Sequence, residues 1–267
     1  MSGWMPVAAA TIGLSVAAAA AQKTPTSTEP GAGIELVEIA AGRFVMGSPP
    51  GETGRNADEA AHDVTLSRAF YLGRFEVTQE QWARVMGTNP GHFAGCGPRC
   101  PIETVSFFDI ERFLEKLNAA TATPFTYRLP TEAEWEFACR AATVTPFSTG
   151  MNLTAEQANY NGEHPYASFA KGLFRRGPTP VGSFAPNAWG LSDMHGNVWE
   201  WTADWYGAYP AGAAVDPHGP PAGEKRVIRG GSWYFDANSA RCALRYTHAP
   251  KDRGFSLGFR LAADRAR

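Results

Sequence analysis

The four cysteines carry the first chemical information in the chain. Cys96 and Cys100 bracket a Gly-Pro-Arg tripeptide, and this spacing favours a disulfide that closes a tight loop. The alternative is a metal site in which His92 joins the two thiolates, although it would lack a second closely spaced cysteine pair. An even number of cysteines also favours disulfides if the chain is exported. The disulfide is therefore the preferred interpretation, and the metal site stays open.

Three helices are predicted to position the rest of the chain, because each follows a residue typical of a helix N-cap. Two of these caps are followed three residues later by Gln or Glu, which completes a capping box. The predicted caps and helices are Thr78 before residues 79–86, Ser106 before 107–118 and Thr131 before 132–140.

Short strands are expected elsewhere in the chain. Residues 34–46 alternate as a strand pair turning at Ala41-Gly42, and residues 64–77 are also β-like. Beyond residue 142, short apolar segments are separated by Gly, Pro and Asn, and no further helix of useful length is predicted. The pattern indicates an α+β fold with few helices, many short strands and long loops.

Composition narrows the possible functions. The 267 residues are 44% hydrophobic and 19% charged, with 28 Gly and 20 Pro, which argues against a helical bundle. A net charge of −2 provides no positive electrostatic potential to attract nucleic acid or an anionic membrane, so no nucleic-acid partner is expected. The sequence also lacks a nucleophile elbow, a Walker loop, an HExxH motif and an EF-hand loop.

The N-terminus resembles an export signal. Residues 5–21 carry no charge, and Ala19 and Ala21 fit an A-x-A cleavage site, although no Lys or Arg precedes the apolar run. We predict a signal peptide over residues 1–21, a flexible linker over 22–33 and one domain over 34–267. The mature chain would be periplasmic or secreted, without a transmembrane domain. An Ala-rich anchor or a misassigned start stays an alternative.

Five motifs in order carry a family resemblance. They are GRFVMGS at residues 42–48, RLPTEAEWE at 128–136, GLSDMHGNVWEW at 190–201, RGGSW at 229–233 and LGFRL at 257–261. With these motifs the chain resembles the formylglycine-generating enzyme family, also called sulfatase-modifying factors. The resemblance implies a C-type-lectin-like α+β fold from about Gly42 to Leu261.

The family's namesake reaction oxidises a sulfatase cysteine to formylglycine with dioxygen and copper held by two cysteines. Two soft thiolates suit Cu(I). The matching positions here are Phe235 and a position near Ala240, so neither cysteine is present. The resemblance therefore implies that copper and the oxidase reaction are absent. It also implies a structural disulfide between Cys139 and Cys242.

The resemblance further implies a calcium site. Its ligands would be the Asp193 and Glu200 carboxylates and the Gly196 and Val198 carbonyls, a hard oxygen set that suits Ca²⁺. The alternative is that the two carboxylates only accept hydrogen bonds from loop amides. In a second family site, Asn159 and the Tyr160 carbonyl match, but Leu173 stands where an Asp is expected.

The family's active-site segment is expected to retain a ligand cleft or to form solvated loops. Trp199 and Ser232 match residues that line the dioxygen pocket of the oxidase. The other cleft candidates are Trp233, Phe235, Asp236, Asn238, Arg241, Arg245 and His248. His195, beside the calcium loop, is expected to be a hydrogen-bonding residue rather than a metal ligand.

The prediction is an exported, calcium-stabilised binding or maturation module without copper and cysteine oxidase activity. Its partner would be a protein, a peptide or a small molecule. The alternative is an enzyme of the same family that modifies a secreted protein, peptide or siderophore, by the formylglycine reaction or by cysteine-independent chemistry.

Overall fold

The computed structural model describes residues 25–120 and 123–265, and the predicted signal peptide lies outside them. The described part contains three α-helices: α1 (Gln79–Met86), α2 (Phe107–Ala120) and α3 (Glu132–Arg140). Both predicted capping boxes are present at α1 and α3. At α2, the Ser106 hydroxyl accepts a hydrogen bond from the Asp109 N–H at 3.2 Å. The helix predictions are confirmed because caps and apolar spacing are local signals.

The strands form three sheets in the described residues. A five-stranded sheet has the order β1-β2-β5-β12-β6, a four-stranded sheet β10-β9-β7-β11, and a three-stranded sheet β3-β4-β8. The strands are β1 (Thr26–Thr28), β2 (Glu35–Ile39), β3 (Gly42–Met46), β4 (His62–Leu66), β5 (Phe70–Gly73), β6 (Phe125–Arg128), β7 (Trp199–Trp205), β8 (Ala214–Val215), β9 (Arg226–Arg229), β10 (Tyr246–His248), β11 (Leu257–Gly258) and β12 (Ala262–Arg265).

Two local predictions are wrong. β2 and β3 do not pair as a hairpin, because β2 pairs with β1 and β5 whereas β3 pairs with β4 in another sheet. The described part of the expected linker is ordered: β1 pairs antiparallel with β2, and the buried Glu29 carboxylate accepts the Gly31 and Ala32 N–H groups at 2.6 Å. The described fold therefore includes residues 25–33.

The five-stranded sheet lies between two apolar clusters. On one face Leu36 and Ala263 pack with α1 and α2, where Trp82 stacks on Phe113 at 5.2 Å. On the other face Val37 packs with α3 residues and with Cys139–Cys242. Because neighbouring strand residues face opposite sides, one short sheet supports both layers. This few-helix, multi-sheet arrangement confirms the predicted α+β, C-type-lectin-like fold.

Candidate functional site

The loop before β7 carries the predicted calcium ligands. Asp193 and Asn197 adopt positive φ angles of 59° and 57°, and Gly196 adopts 83°. A Cβ on Gly196 would lie 2.2 Å from the Asn159 carbonyl oxygen, so only glycine fits there. The Asn197 N–H donates to that same carbonyl at 2.8 Å. The loop is therefore bound tightly to the segment of the second predicted site.

Three buried carboxylates face one guanidinium beside this loop. Arg260 donates from Nε and Nη2 to the two oxygens of Glu200, both at 2.6 Å. Trp135 Nε1 also donates to Glu200 at 2.7 Å. Glu76 accepts from Asn197 Nδ2 at 2.6 Å and from the Val198 N–H at 3.0 Å. With Asp193, the cluster has three acids and one fully buried arginine.

Two of these acids, Glu76 and Asp193, have raised pKa values. Burial raises the pKa of Glu76 well above its usual range, and the nearby Asp193 and Glu200 carboxylates raise it further. Burial also raises the pKa of Asp193 to about 6. Gly182 N–H donates to Asp193 Oδ2 at 2.7 Å, but the buried Oδ1 has no hydrogen-bond partner. The cluster thus places three acids beside one guanidinium and leaves one carboxylate oxygen without a partner.

Two oxygens of this cluster have a lone pair to offer. Asp193 offers its unpartnered oxygen, and Glu200 Oε1, which accepts one hydrogen bond from Arg260, retains a second lone pair. Carboxylate oxygens of this kind are ligands that Ca²⁺ prefers. Arg260 already compensates part of the charge on Glu200, so Asp193 is the better placed acid for a cation.

The second predicted calcium site is incomplete. Asn159 is fully buried, its Nδ2 donates to the Gly177 carbonyl at 3.0 Å, and its Oδ1 has no partner. The Tyr160 side chain is buried and donates to the Leu153 carbonyl at 2.9 Å. Leu173 is 58% exposed and supplies no carboxylate. The matching residues therefore retain the Asn159 oxygen but not the expected carboxylate.

The predicted cleft segment forms an aromatic surface made of Trp199, Trp233, Tyr234, Phe235, Tyr246 and Phe255. Tyr234, Tyr246 and Phe255 are 52%, 48% and 42% exposed. Their rings touch those beneath: Tyr246 stacks on Trp199 at 5.5 Å, and Tyr234 lies 5.5 Å from Phe255. A group of exposed aromatic side chains that touch one another is typical of a binding surface.

Trp233 anchors one end of the aromatic surface. Its ring lies 5.4 Å from Phe93 and stacks on Phe174 at 6.2 Å. The indole Nε1–H is buried and has no acceptor. A buried donor without a partner is unfavourable in a folded protein. Ser232 beside it is 1% exposed and lies beneath the surface.

Phe235 and His248 also lie at this surface. Phe235 is partly buried, and its ring contacts Trp199 edge-on at 5.5 Å. His248 lies 6.0 Å from Tyr246, and its Nδ1 is 3.2 Å from an Asp252 carboxylate oxygen. The aromatic cleft candidates are thus brought together, with His248 at the edge.

Four polar cleft candidates have structural roles instead. Asp236 caps the 3₁₀ turn Ala237–Ala240 by accepting from Ser239, and Asn238 accepts from Arg241 Nε at 2.9 Å. Arg241 is fully buried against the carboxylates of Glu52 and Glu59. The hydrogen-bonding groups of Asn238 and Arg241 are used within the fold, so their placement in a cleft is corrected, whereas Asp236 is exposed and its placement stays a prediction.

Arg245, the fourth candidate, is 4% exposed and makes a bidentate ion pair with Glu132 at 2.7 and 2.8 Å. Its guanidinium also lies over the ring of Tyr209 at 3.9 Å. This buried pairing removes Arg245 from the cleft and ties β10 to α3.

Comparison with known proteins decides the family. Residues 20–265 match the sulfatase-modifying factor enzyme 1-like domain. The chain belongs to this family.

Relatives in this family extend over most of the chain. The formylglycine-generating enzyme of Bos taurus is 30% identical, with 86% of this chain and 75% of that protein covered. The structure of PvdO from Pseudomonas aeruginosa superposes with a TM-score of 0.77 at 30% identity, covering 91% of this chain and 99% of PvdO. Treponema denticola variable protein 1 gives 0.74 at 30% identity, covering 89% and 98%.

All four cysteines of this family member are paired. Cys96 is bonded to Cys100 and Cys139 to Cys242, so no free thiol remains. His92 contacts the Phe93 and Phe255 rings. The disulfide interpretation of the Cys96–Cys100 pair is therefore the one that the structure supports.

His195 lies beside the long-range disulfide. Burial lowers the pKa of His195 to about 4. Its Nδ1 donates to the Ala240 carbonyl at 2.8 Å, and its Nε2 accepts from the Ser148 N–H at 3.0 Å. Both ring nitrogens are used, as expected for a structural histidine.

Glu76 and Arg260 were not singled out from the sequence. Each is a charged residue within an apolar run, Phe-Glu-Val and Phe-Arg-Leu. A charge in such a run is the signal that indicates a buried ion pair. None of the described helices combines the length and the apolar character needed to cross a bilayer.

Proposed function

We propose that this family member is an exported binding module, stabilised by calcium, that does not perform the copper and cysteine oxidation of the formylglycine-generating enzyme. The observation that carries the proposal is the pairing of all four cysteines in disulfides. The reaction needs two thiolates to hold copper, and this chain has none to offer. Two disulfides also support an oxidising compartment, the periplasm or the exterior.

The position of the missing copper site is filled by packed side chains. Phe235, at the position of the first family cysteine, contacts Trp199. Ala240, near the second position, is fully buried and supplies only its carbonyl, to His195. Neither side chain can bind copper, and the Phe235 ring can instead contact an apolar ligand.

Calcium is proposed for the loop that holds Asp193 and Glu200. When bound, the ion would supply positive charge to a cluster that otherwise buries three acids against one arginine. Asp193 would bind through its unpartnered oxygen, and Glu200 would stay oriented by Arg260 and Trp135. The protein's own contribution is to hold the loop rigid through Asn159 and Asn197.

The ligand is proposed to bind at the aromatic surface. The exposed rings of Tyr234, Tyr246 and Phe255 offer flat apolar area with little side-chain entropy to lose. A peptide, protein segment or small molecule with these features fits the surface.

The calcium proposal is tested by melting the protein in EDTA and in excess Ca²⁺. At a concentration of one hundred times Kd, binding stabilises the fold by about 2.7 kcal/mol. For a domain of this size, that raises Tm by about 5–10 °C. Glu200→Gln should abolish the Ca²⁺-dependent shift, even if it lowers Tm in EDTA.

Asp252→Asn is the matched control, because Asp252 is a partly exposed acid paired with His248. It should keep the full Ca²⁺-dependent shift. An equal Tm in EDTA and Ca²⁺ for the unmodified protein would contradict calcium binding.

A further inference from the structure

A second concave site lies away from the aromatic surface. It is a cavity of about 430 Å³ beneath α2 and the start of α3. Its floor is apolar and includes Phe107, Leu114 and Leu129, of which Phe107 and Leu129 are 5% and 4% exposed. This volume falls in the range of small-molecule sites, about 300–1,000 Å³.

The rim of the cavity carries a surplus of negative charge. Four carboxylates and two guanidiniums line it: Glu111, Glu134, Asp216, Asp264, Arg68 and Arg128. Arg128 is shared between Glu134, at 2.6 and 2.7 Å, and Asp264, at 2.8 Å, so these two acids outnumber their cation. The remaining lining residue that titrates is His218.

The acids stand where they can meet a ligand. Glu111 is exposed and lies one helical turn from the apolar floor residues Phe107 and Leu114, on the same face of α2. Asp216 lines the same cavity from the residue after β8, and the Ser67 N–H and hydroxyl donate to its two carboxylate oxygens. The cavity thus has an apolar base, where the Arg226 guanidinium lies 4.2 Å over the Phe107 ring, and a mouth that is lined by more acids than cations.

We propose that this cavity binds a small cationic amphiphile, a molecule with one apolar ring or short alkyl body and one ammonium group. The apolar body would lie on Phe107, Leu114 and Leu129, and the ammonium would lie between Glu111 and Asp216. An anionic ligand would meet the surplus acids and is disfavoured by the same geometry.

This site is independent of the proposed function. Trp199, at the aromatic surface, and Ala203, at the cavity, are four residues apart on β7, about 13 Å along the strand. Neither Asp193 nor the aromatic surface lines the cavity. Failure of ligand binding here would leave the calcium and aromatic-surface proposals untouched.

The test titrates phenethylamine into the full chain and follows the methyl NMR signals of Leu66, Leu114 and Leu129, with Leu173 as a remote control. A ligand of this size should bind with Kd of about 1–10 mM. The neutral isostere 2-phenylethanol should bind about threefold more weakly and phenylacetate about tenfold more weakly, because the rim is acidic.

Two charge variants test the rim. The double variant Glu111→Gln/Asp216→Asn should reduce phenethylamine affinity to that of 2-phenylethanol. Asn tolerates the positive φ of 45° at position 216, so this variant should fold. Glu115→Gln, an exposed acid on α2 that does not line the cavity, should leave the affinity unchanged.

Leu114→Trp tests the cavity itself, because the larger side chain should occupy its floor and prevent all three probes from binding. Equal affinity for the amine and the alcohol would overturn the proposal. Signal changes at Leu173 rather than at the cavity methyls would also overturn it. An unchanged phenethylamine affinity in Glu111→Gln/Asp216→Asn would also overturn the proposal, and this result does not depend on whether Leu114→Trp folds.

Discussion

The two disulfides should contribute very different amounts to stability, and their difference can be measured within one protein. Cys139–Cys242 joins residues 103 apart in sequence, whereas Cys96–Cys100 joins residues only 4 apart. A cross-link restricts the unfolded chain more when it closes a longer loop. We therefore expect the long-range bridge to dominate.

The loop lengths give the magnitudes. Loop-closure entropy corresponds to about 4.7 kcal/mol at 25 °C for the long bridge and about 2 kcal/mol for the short one. The sulfurs of Cys139 and Cys242 are also fully buried between α3 and the sheet, so their loss leaves a small void. The variant Cys139→Ala/Cys242→Ala should therefore lose at least about 2.5 kcal/mol more than Cys96→Ala/Cys100→Ala.

Urea denaturation of both double variants and the unmodified protein, with Ca²⁺ present throughout, provides the comparison. The free energies of unfolding extrapolated to water give the difference, and the slope should be larger for Cys139→Ala/Cys242→Ala because its unfolded chain is less restricted. Equal free energies of unfolding for the two variants, or a larger loss for Cys96→Ala/Cys100→Ala, would refute the loop-length reasoning.

Two further predictions concern buried charges. Burial raises the pKa of Asp204 to about 6, so its contribution to stability is present at low pH and is lost as pH rises through 6. The free energy of unfolding relative to Asp204→Asn should fall by about 2.5 kcal/mol from pH 4 to pH 8, and a difference that does not vary with pH would contradict this prediction. Arg241→Met should destabilise by about 3–5 kcal/mol in the same urea assay because it leaves Glu52 and Glu59 buried without their cation. Arg253→Met, which breaks an exposed pair with Asp109, should lose less than about 1 kcal/mol, so equal losses would argue against burial as the cause.

The sequence predicted those features that depend on local signals. The three helices begin at Thr78, Ser106 and Thr131 because a cap and its partner lie within three residues of each other. The family resemblance supplied the fold and the Cys139–Cys242 pairing, since its motifs extend along most of the chain.

Several of the wrong predictions involve partners that are distant in sequence. Arg241 and Arg245 looked like cleft residues, but their carboxylate partners Glu59 and Glu132 lie 182 and 113 positions away. Likewise, alternation shows that β2 and β3 are strands but cannot identify their neighbours. For the same reason the sequence predicted Asp193 and Glu200 of the buried acid cluster but not Arg260, which lies 60 positions from Glu200.

The central claim is that the family fold is retained here without its oxidase chemistry. Its most direct test incubates the purified protein with a sulfatase-type Cys-x-Pro-x-Arg peptide, copper, a reductant and dioxygen, and measures aldehyde on the peptide. An active formylglycine-generating enzyme run in parallel serves as the positive control. We predict no aldehyde above the level without protein, since all four cysteines are in disulfides. Catalytic aldehyde formation by this chain would contradict the claim.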